Sequence, residues 1–293
     1  KEIKVALHKI DIEINGLESD LLLAGYLLDS SLKNDVVSIM NYFNIDVGIK
    51  TGSLDLLASG TDYDFIAKCA YNVISLKEKI NSELKKVEAL DLYQKIELPL
   101  ALVLSDMEIE GFPLDEKKLK TIGETFKEKL NNITKDIYKT VGFEFNIASP
   151  KQVADTLFNK LNLKGAKNNS TSVEVLEAMK EDHPVINKIL EHRKYAKLIS
   201  TYVDALVEHI HEDGKIHAMF NQALTTTGRL SSSEPNLQNI SVRDEEGRLI
   251  RKAFHYPNNE YQILSLDYSQ IELRVLAALA KSKALIEVLE ADR

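Results

Sequence analysis

The sequence predicts a mainly α chain with an α/β end. Three observations carry this. Apolar residues recur at three- and four-residue spacing through most of the first 210 positions. Two long amphipathic stretches are separated by a short insert, which suggests an antiparallel helix pair. After Asp213–Gly214 the helical period gives way to short strand-like runs.

The elements follow in order. The run from Ile3 to Ile14 fits helix and strand alike. Asp20 is placed to cap Leu21–Leu28, and Asp35 to cap a helix holding Val36, Ile39, Met40 and Phe43. Thr61 precedes a long helical pattern through Phe65, Ile66, Cys69, Val73, Ile80 and Leu84. Leu98–Pro99–Leu100 predicts a break, with a helix over Ala101–Glu108 ending at Gly111–Phe112–Pro113. Asp115 opens the strongest amphipathic helix, with Leu119, Ile122, Phe126, Leu130, Ile133, Ile137 and Val141 on one face and Gly142 as its stop. Its partner runs from about Pro184 to Ile210. The insert, 143–183, carries two capping boxes, Ser149–Pro150–Lys151–Gln152 and Thr171–Ser172–Val173–Glu174. Lys215 to Gln222 reads as a short strand. Ile263–Leu264–Ser265–Leu266 reads as a buried strand, followed by a helix from about Gln270 to Leu279.

Composition narrows the function. The chain has 293 residues, is 44% hydrophobic and 28% charged, and fits two or three globular units. Its apolar runs are too short to span a bilayer and no signal peptide opens it. Cys69 is the only cysteine, which excludes an intrachain disulfide and a Cys-rich zinc site and fits a cytoplasmic setting. The net charge is −8, but it is uneven: residues 1–146 hold 18 Lys+Arg against 25 Asp+Glu, whereas 147–230 hold 11 against 10. A basic groove in the later part is compatible with that balance, because phosphate binding depends on local fields. Lys1 and Arg293 both lie within structured-looking pattern, so both ends read as cut.

Three segments carry chemistry. The first is Leu264–Ser265–Leu266–Asp267–Tyr268–Ser269–Gln270–Ile271–Glu272–Leu273–Arg274. An acid at the end of an apolar strand is a fitting ligand for Mg²⁺, and a two-metal site would need a second carboxylate. A cap or loop residue is the plain alternative for Asp267. Glu272 also closes a capping box with Ser269, and Arg274 reads as structural or surface. The second is Thr227–Gly228–Arg229–Leu230–Ser231–Ser232–Ser233–Glu234–Pro235–Asn236–Leu237–Gln238–Asn239, dense in the side chains that meet phosphates and base edges. The third holds Arg243, Arg248, Arg251 and Lys252 among Asp244, Glu245 and Glu246, a salt-bridged surface or a phosphate site. The loop Lys164–Gly165–Ala166–Lys167–Asn168–Asn169–Ser170 is basic and polar, a solvated loop or a tip that touches phosphates.

Taken together, Thr227–Ser232, Pro235–Ile240, Glu245–Arg248 and Asp267–Arg274 form four ordered blocks within about fifty residues. They closely resemble the entrance of the palm and motif A of family A DNA polymerases, bacterial members in particular. The resemblance implies three parts: 1–97, the latter part of a 3′–5′ exonuclease-like domain; 98–214, a thumb with its tip at 143–183; and 215–293, the start of the palm.

It further implies template-directed DNA synthesis for replication and repair, with primer–template double-stranded DNA and a deoxynucleoside triphosphate as partners. Two Mg²⁺ ions are expected in the intact enzyme. Asp267 would be the catalytic, metal-binding carboxylate and the Tyr268 backbone carbonyl a further ligand. Glu272 would exclude a 2′-hydroxyl. Arg229 would reach the minor groove, while Asn236, Gln238 and Gln270 support the template–primer and Arg248 helps hold that region. Lys164, Lys167, Asn168, Asn169 and Ser170 would form the DNA-touching tip. Phe65 and Cys69 stand where the family's exonuclease has its Tyr-x-x-x-Asp element, which implies a vestigial proofreading site and no nuclease activity. The fingers helix and the second catalytic acid are absent from the sequence, so the chain alone is expected to bind DNA weakly without polymerising it. No membrane contact, a monomer, and a cytoplasmic, nucleoid-associated setting are expected. The rival readings are a single-subunit RNA polymerase, against which Glu272 argues, and a non-catalytic, sequence-independent DNA-binding module.

Overall fold

The computed structural model describes residues 1–14, 16–48, 63–164, 169–256 and 261–291. It comprises two compact units, Lys1–His255 and Tyr256–Arg293.

The first unit begins with helices whose starts are set by local caps. α1 (Glu2–His8) settles the beginning of the ambiguous 3–14 run as helix. α2 (Leu21–Leu28) starts at Asp20, which accepts from Leu22 N and Leu23 N, and α3 (Val36–Tyr42) starts at Asp35, which accepts from Ser38 N. α4 (Tyr63–Lys86) brings Leu76, Ile80 and Leu84 into a core with Ala24, Met40 and Ala101. The cap expected at Thr61 lies outside the described residues.

The break expected at Leu98–Pro99–Leu100 does not occur. α5 (Leu90–Leu92) runs through a π-helical stretch (Tyr93–Glu97) into α6 (Leu98–Glu110). A proline ring normally collides with the carbonyl four residues back, and the wider π turn ahead of Pro99 relieves that collision.

α7 (Glu116–Val141) begins where Asp115 accepts from Lys118 N and ends at Gly142, whose φ of 86° is the left-handed value glycine adopts without strain. α10 (Pro184–Lys197) continues through a π stretch (Leu198–Asp204) into α11 (Ala205–Glu208). The two long helices run antiparallel. Asp136 meets Lys188, Phe126 meets Tyr195, Gly123 faces Val203 and Lys127 meets Asp204, one number rising roughly as the other falls.

Between them, α8 (Pro150–Ala154) leads into a π stretch (Asp155–Lys160), and α9 (Val173–Ala178) follows. Leu157, Leu176, Ile137 and Ile186 form the core at this end of the pair. Ser149 caps α8 as expected, but the Gln152 side chain accepts from Asn146 N rather than closing the box. The second cap is Ser172, one residue later than the Thr171 reading, because Thr171 is buried and engaged by Arg193.

The strand expected over Lys215–Gln222 is two strands that pair with different partners. β1 (Phe112–Pro113) pairs antiparallel with β2 (Lys215–Ile216), and β3 (Met219–Asn221) with β4 (Ser231–Ser233). The switch falls at His217, whose Nδ1 lies 2.8 Å from Glu108 O. α12 (Glu245–Arg251), capped by Asp244, then packs Ile250 into a core with Leu119, Phe126 and Leu206.

In the second unit α13 (Ile271–Ala280) and α14 (Lys283–Ala291) pack together and bury Ala277 and Leu289. The buried strand expected at 263–266 is not formed. Residues 261–268 have no regular structure, with Leu264 80% and Leu266 84% exposed. A strand exists through its ladder, and among the described residues nothing pairs with this one. The capping box at Ser269–Glu272 also fails: Gln270 is the N-cap, at φ 52°, without a side-chain cap bond. Among the described residues no helix is long and apolar enough to cross a membrane.

Candidate nucleic-acid interface and the Asp267 segment

The expected site residues fall in both units. In the first, Thr225 Oγ1 donates to Arg229 O at 2.7 Å across the Gly228 turn, where φ is 76°. Arg229 is exposed at the entry to β4. Beyond β4, Ser232 Oγ bonds Pro235 O (3.1 Å) and accepts from Leu237 N (3.3 Å). Asn236 Oδ1 accepts from Gln238 N (3.0 Å), and Gln238 Nε2 donates to Leu230 O (3.2 Å). Asn236, Gln238 and Asn239 are exposed on this short segment.

The next segment is tied down. Tyr202 Oη donates to Asn239 O at 2.7 Å. Arg251 donates to Ile240 O (2.7 Å) and Ser241 O (3.4 Å), and Arg248 Nε donates to Val242 O (3.0 Å). Part of Arg248 is therefore spent on backbone. Gly247 lies so close that an added Cβ would sit 2.3 Å from Ser241 O.

Glu246, in the first turn of α12, accepts from Tyr195 Oη (2.7 Å) and Lys194 Nζ (2.6 Å). Burial opposes its ionisation, but the bonds from Lys194 and Tyr195 outweigh that and hold the carboxyl down to about 2. The Tyr195 phenol is pushed up by burial and by the Glu246 carboxylate. The sequence singled out Glu246 only among the charges of its own segment and did not point to Tyr195 or Lys194, because the three meet only where α12 comes against α10.

At the far end of the helix pair, Lys164 and Asn169 are exposed and Ser170 Oγ accepts from Ser172 N. Lys167 and Asn168 lie outside the described residues. A cleft of about 670 Å³ beside them is lined by Pro150, Lys151, Ser170, His192 and Arg193 among others. Burial, with Arg193 adjacent, lowers the His192 pKa, and its Nδ1 is buried without a hydrogen-bond partner. Phe65 and Cys69 turn onto the first core, where burial raises the Cys69 pKa.

In the second unit Asp267 and Tyr268 are exposed, and Gln270 and Glu272 stand at the start of α13. Arg274 is structural: it donates to Ser269 O (3.2 Å) and Leu289 O (3.2 Å), tying the segment before α13 to α14. Among the described residues no three His, Cys, Asp or Glu side chains gather as a metal site.

Comparison with known proteins agrees over nearly the full chain. The family described as DNA polymerase family A matches residues 116–293, and the DNA polymerase I, ribonuclease H-like domain matches residues 1–51. The chain is 43% identical to DNA polymerase I of Lactococcus lactis subsp. cremoris over 300 residues, covering 98% of this chain and 34% of that protein. It is 40% identical to DNA polymerase I of Bacillus subtilis over 310 residues, covering 100% of this chain and 35% of that protein. It thus spans about a third of the length of these curated relatives. Among solved structures, the POL domain of Pol1 from M. smegmatis, in complex with DNA primer-template and dNTP, superposes with a TM-score of 0.83 at 30% identity, covering 98% of this chain and 50% of that one. With its family match covering more than half of its residues and its fold shared with a polymerase domain, the chain belongs to DNA polymerase family A.

Proposed function

We propose that this chain is part of a DNA-directed DNA polymerase that joins deoxynucleoside triphosphates to a primer 3′-hydroxyl, releasing pyrophosphate. The observation that carries the reading is the run of four ordered blocks from Thr227 to Arg274 in a chain of this family. Residues 1–97, 98–214 and 215–293 are assigned to the exonuclease-like remainder, the thumb and the first part of the palm.

The roles follow from residue chemistry. Exposed Arg229, Asn236 and Gln238 would meet the template–primer. Arg229 would donate to purine N3 and pyrimidine O2, acceptors that correct pairs share, so that it senses pair shape without reading sequence. Gln270 would add to this support. Lys164, Lys167, Asn168, Asn169 and Ser170 would follow the phosphates at the thumb tip. Glu272 would occupy the space a ribose 2′-hydroxyl needs. Phe65 and Cys69 lack the acid that a proofreading site would use.

The Asp267 carboxylate and the Tyr268 carbonyl are hard oxygen donors of the kind Mg²⁺ takes, so they fit one side of a metal site. Further carboxylates would come from the rest of the longer protein. When bound, the metal ions supply charge neutralisation for phosphoryl transfer. The protein's own contribution is to hold primer end and nucleotide in line. The reading places the protein in the cytoplasm as a monomer.

The test is primer extension by the full protein that carries this chain, beside its Asp267→Ala variant. Extension that disappears in the variant supports the assignment. An inactive parent would overturn the enzymatic reading, and an active variant would overturn the role of Asp267.

A further inference from the structure

The polar segment 236–242 and the long helix pair are joined by α12. Glu246 binds α10 through Lys194 and Tyr195, and Tyr195 is buried against Phe126 of α7, ring centroids 5.6 Å apart. Lys129 of α7 adds a bond to the Tyr195 hydroxyl at 3.3 Å. Two and five residues further along α12, Arg248 and Arg251 grip the carbonyls of Ile240, Ser241 and Val242, three in succession. Gly247 admits Ser241 O at a distance no side chain would allow. Tyr202, just beyond α10, takes the carbonyl of Asn239. The carbonyls from Asn239 to Val242 are therefore tied back to the helix pair, directly or through one short helix, while Leu237 N and Gln238 Nε2 bond Ser232 Oγ and Leu230 O at the β4 end.

We propose that α12 is a rigid coupler between the helix pair and the segment 236–242, with Glu246 and Arg251 as positioning residues. A shift of α10 would then move residues 239–242 with it, and so bear on the neighbouring Asn236 and Gln238 that would meet the template–primer. What the segment meets rests on the polymerase reading above; the coupling itself does not.

Hydrogen exchange on the full chain tests the coupling without DNA. Glu246→Ala and Arg251→Ala are expected to speed exchange of the 236–242 amides about tenfold while α7 and α10 keep theirs, the signature of local opening. Glu246→Gln, which keeps an acceptor for Tyr195, and Arg251→Lys, which keeps one donor, are expected to restore part of the protection, and they serve if the alanine variants fail to fold. Unchanged exchange at 236–242, or equal acceleration across α7 and α10, would overturn the proposal.

Discussion

Gly123→Ala tests how the helix pair is held. Gly123 is buried on α7 opposite Val203, which lies in the π stretch Leu198–Asp204 and is 3% exposed. The wide turn of one helix is met by the residue without a side chain on the other. A methyl at Gly123 would sit 2.6 Å from Val203 Cγ1. Carbon pairs rest at about 3.5–4.0 Å, so one partner must withdraw by about 1 Å.

Val203 is β-branched and has one favoured rotamer in a helix, so it cannot turn away. Two terms favour alanine: about 1 kcal/mol of helix propensity and about 0.8 kcal/mol for a buried methyl. Overpacking costs about 1–3 kcal/mol, and an overlap of this size between stiff partners belongs at the upper end. The net expectation is a loss of about 1 kcal/mol. Urea unfolding followed by circular dichroism measures it. Val203→Ala alone should cost about 2–3 kcal/mol through transfer and cavity terms. In the double variant the new methyl enters that hole, so the two losses should fall short of additivity by about 1–2 kcal/mol. A single variant more stable than wild type, or strictly additive losses, would refute this account of the crossing.

Two further outcomes follow from α12. Gly247→Ala places a Cβ 2.3 Å from a backbone oxygen that cannot swing aside, so a loss of about 3 kcal/mol or more is expected in the same unfolding experiment; a neutral result would remove Gly247 from the coupling. Glu246→Gln should show a pH-dependent deficit. The folded carboxyl is held at about 2, below its ordinary 4.5, so its contribution is present above about pH 4.5 and fades as pH falls toward 2. The full shift corresponds to about 3.4 kcal/mol, and screening at the half-exposed Lys194 reduces it to about 1–2 kcal/mol. The gap between wild type and variant should therefore be present at about pH 7 and narrow below about pH 4.5, and a gap of constant size would refute the ionic part of the contact.

The elements legible in the sequence are those fixed by a few neighbouring residues. Asp20, Asp35 and Asp115 cap the helices they were expected to cap, and Gly142 stops α7, because each device needs only a side chain and the next turn of backbone. The antiparallel pair was legible from its two apolar stripes. The π stretches were not, since helical spacing reads alike through a turn one residue wider, and one of them removed the expected break at Pro99. The cap at Ser172 was missed by one residue because Thr171 is claimed by Arg193, twenty-two positions away. Tyr195 and Glu246 are fifty-one positions apart, and nothing in either neighbourhood announces the other. Arg229, Asn236 and Gln238 were legible as exposed polar residues; what anchors their segment was not.

Ile263–Leu266 shows where local reasoning stops. Leu264 and Leu266 would share one face of a strand, with Ile263 and Ser265 on the other, and apolar residues on both faces mark a strand flanked by neighbours. Such a strand takes its position from the ladder, so the same residues stand exposed where no ladder forms among the described residues. Asp267 ends this run and stands exposed, so its own segment does not fix the pose of the proposed metal ligand. Arg274 supplies a tie just beyond it, at Ser269 O. The polar segment of the first unit is the opposite case. Its carbonyls from Asn239 to Val242 are gripped by Tyr202, Arg248 and Arg251, and Glu246 carries that grip back to Lys194 and Tyr195. Substitutions in these anchors should therefore alter the proposed DNA-facing segment in this chain by itself.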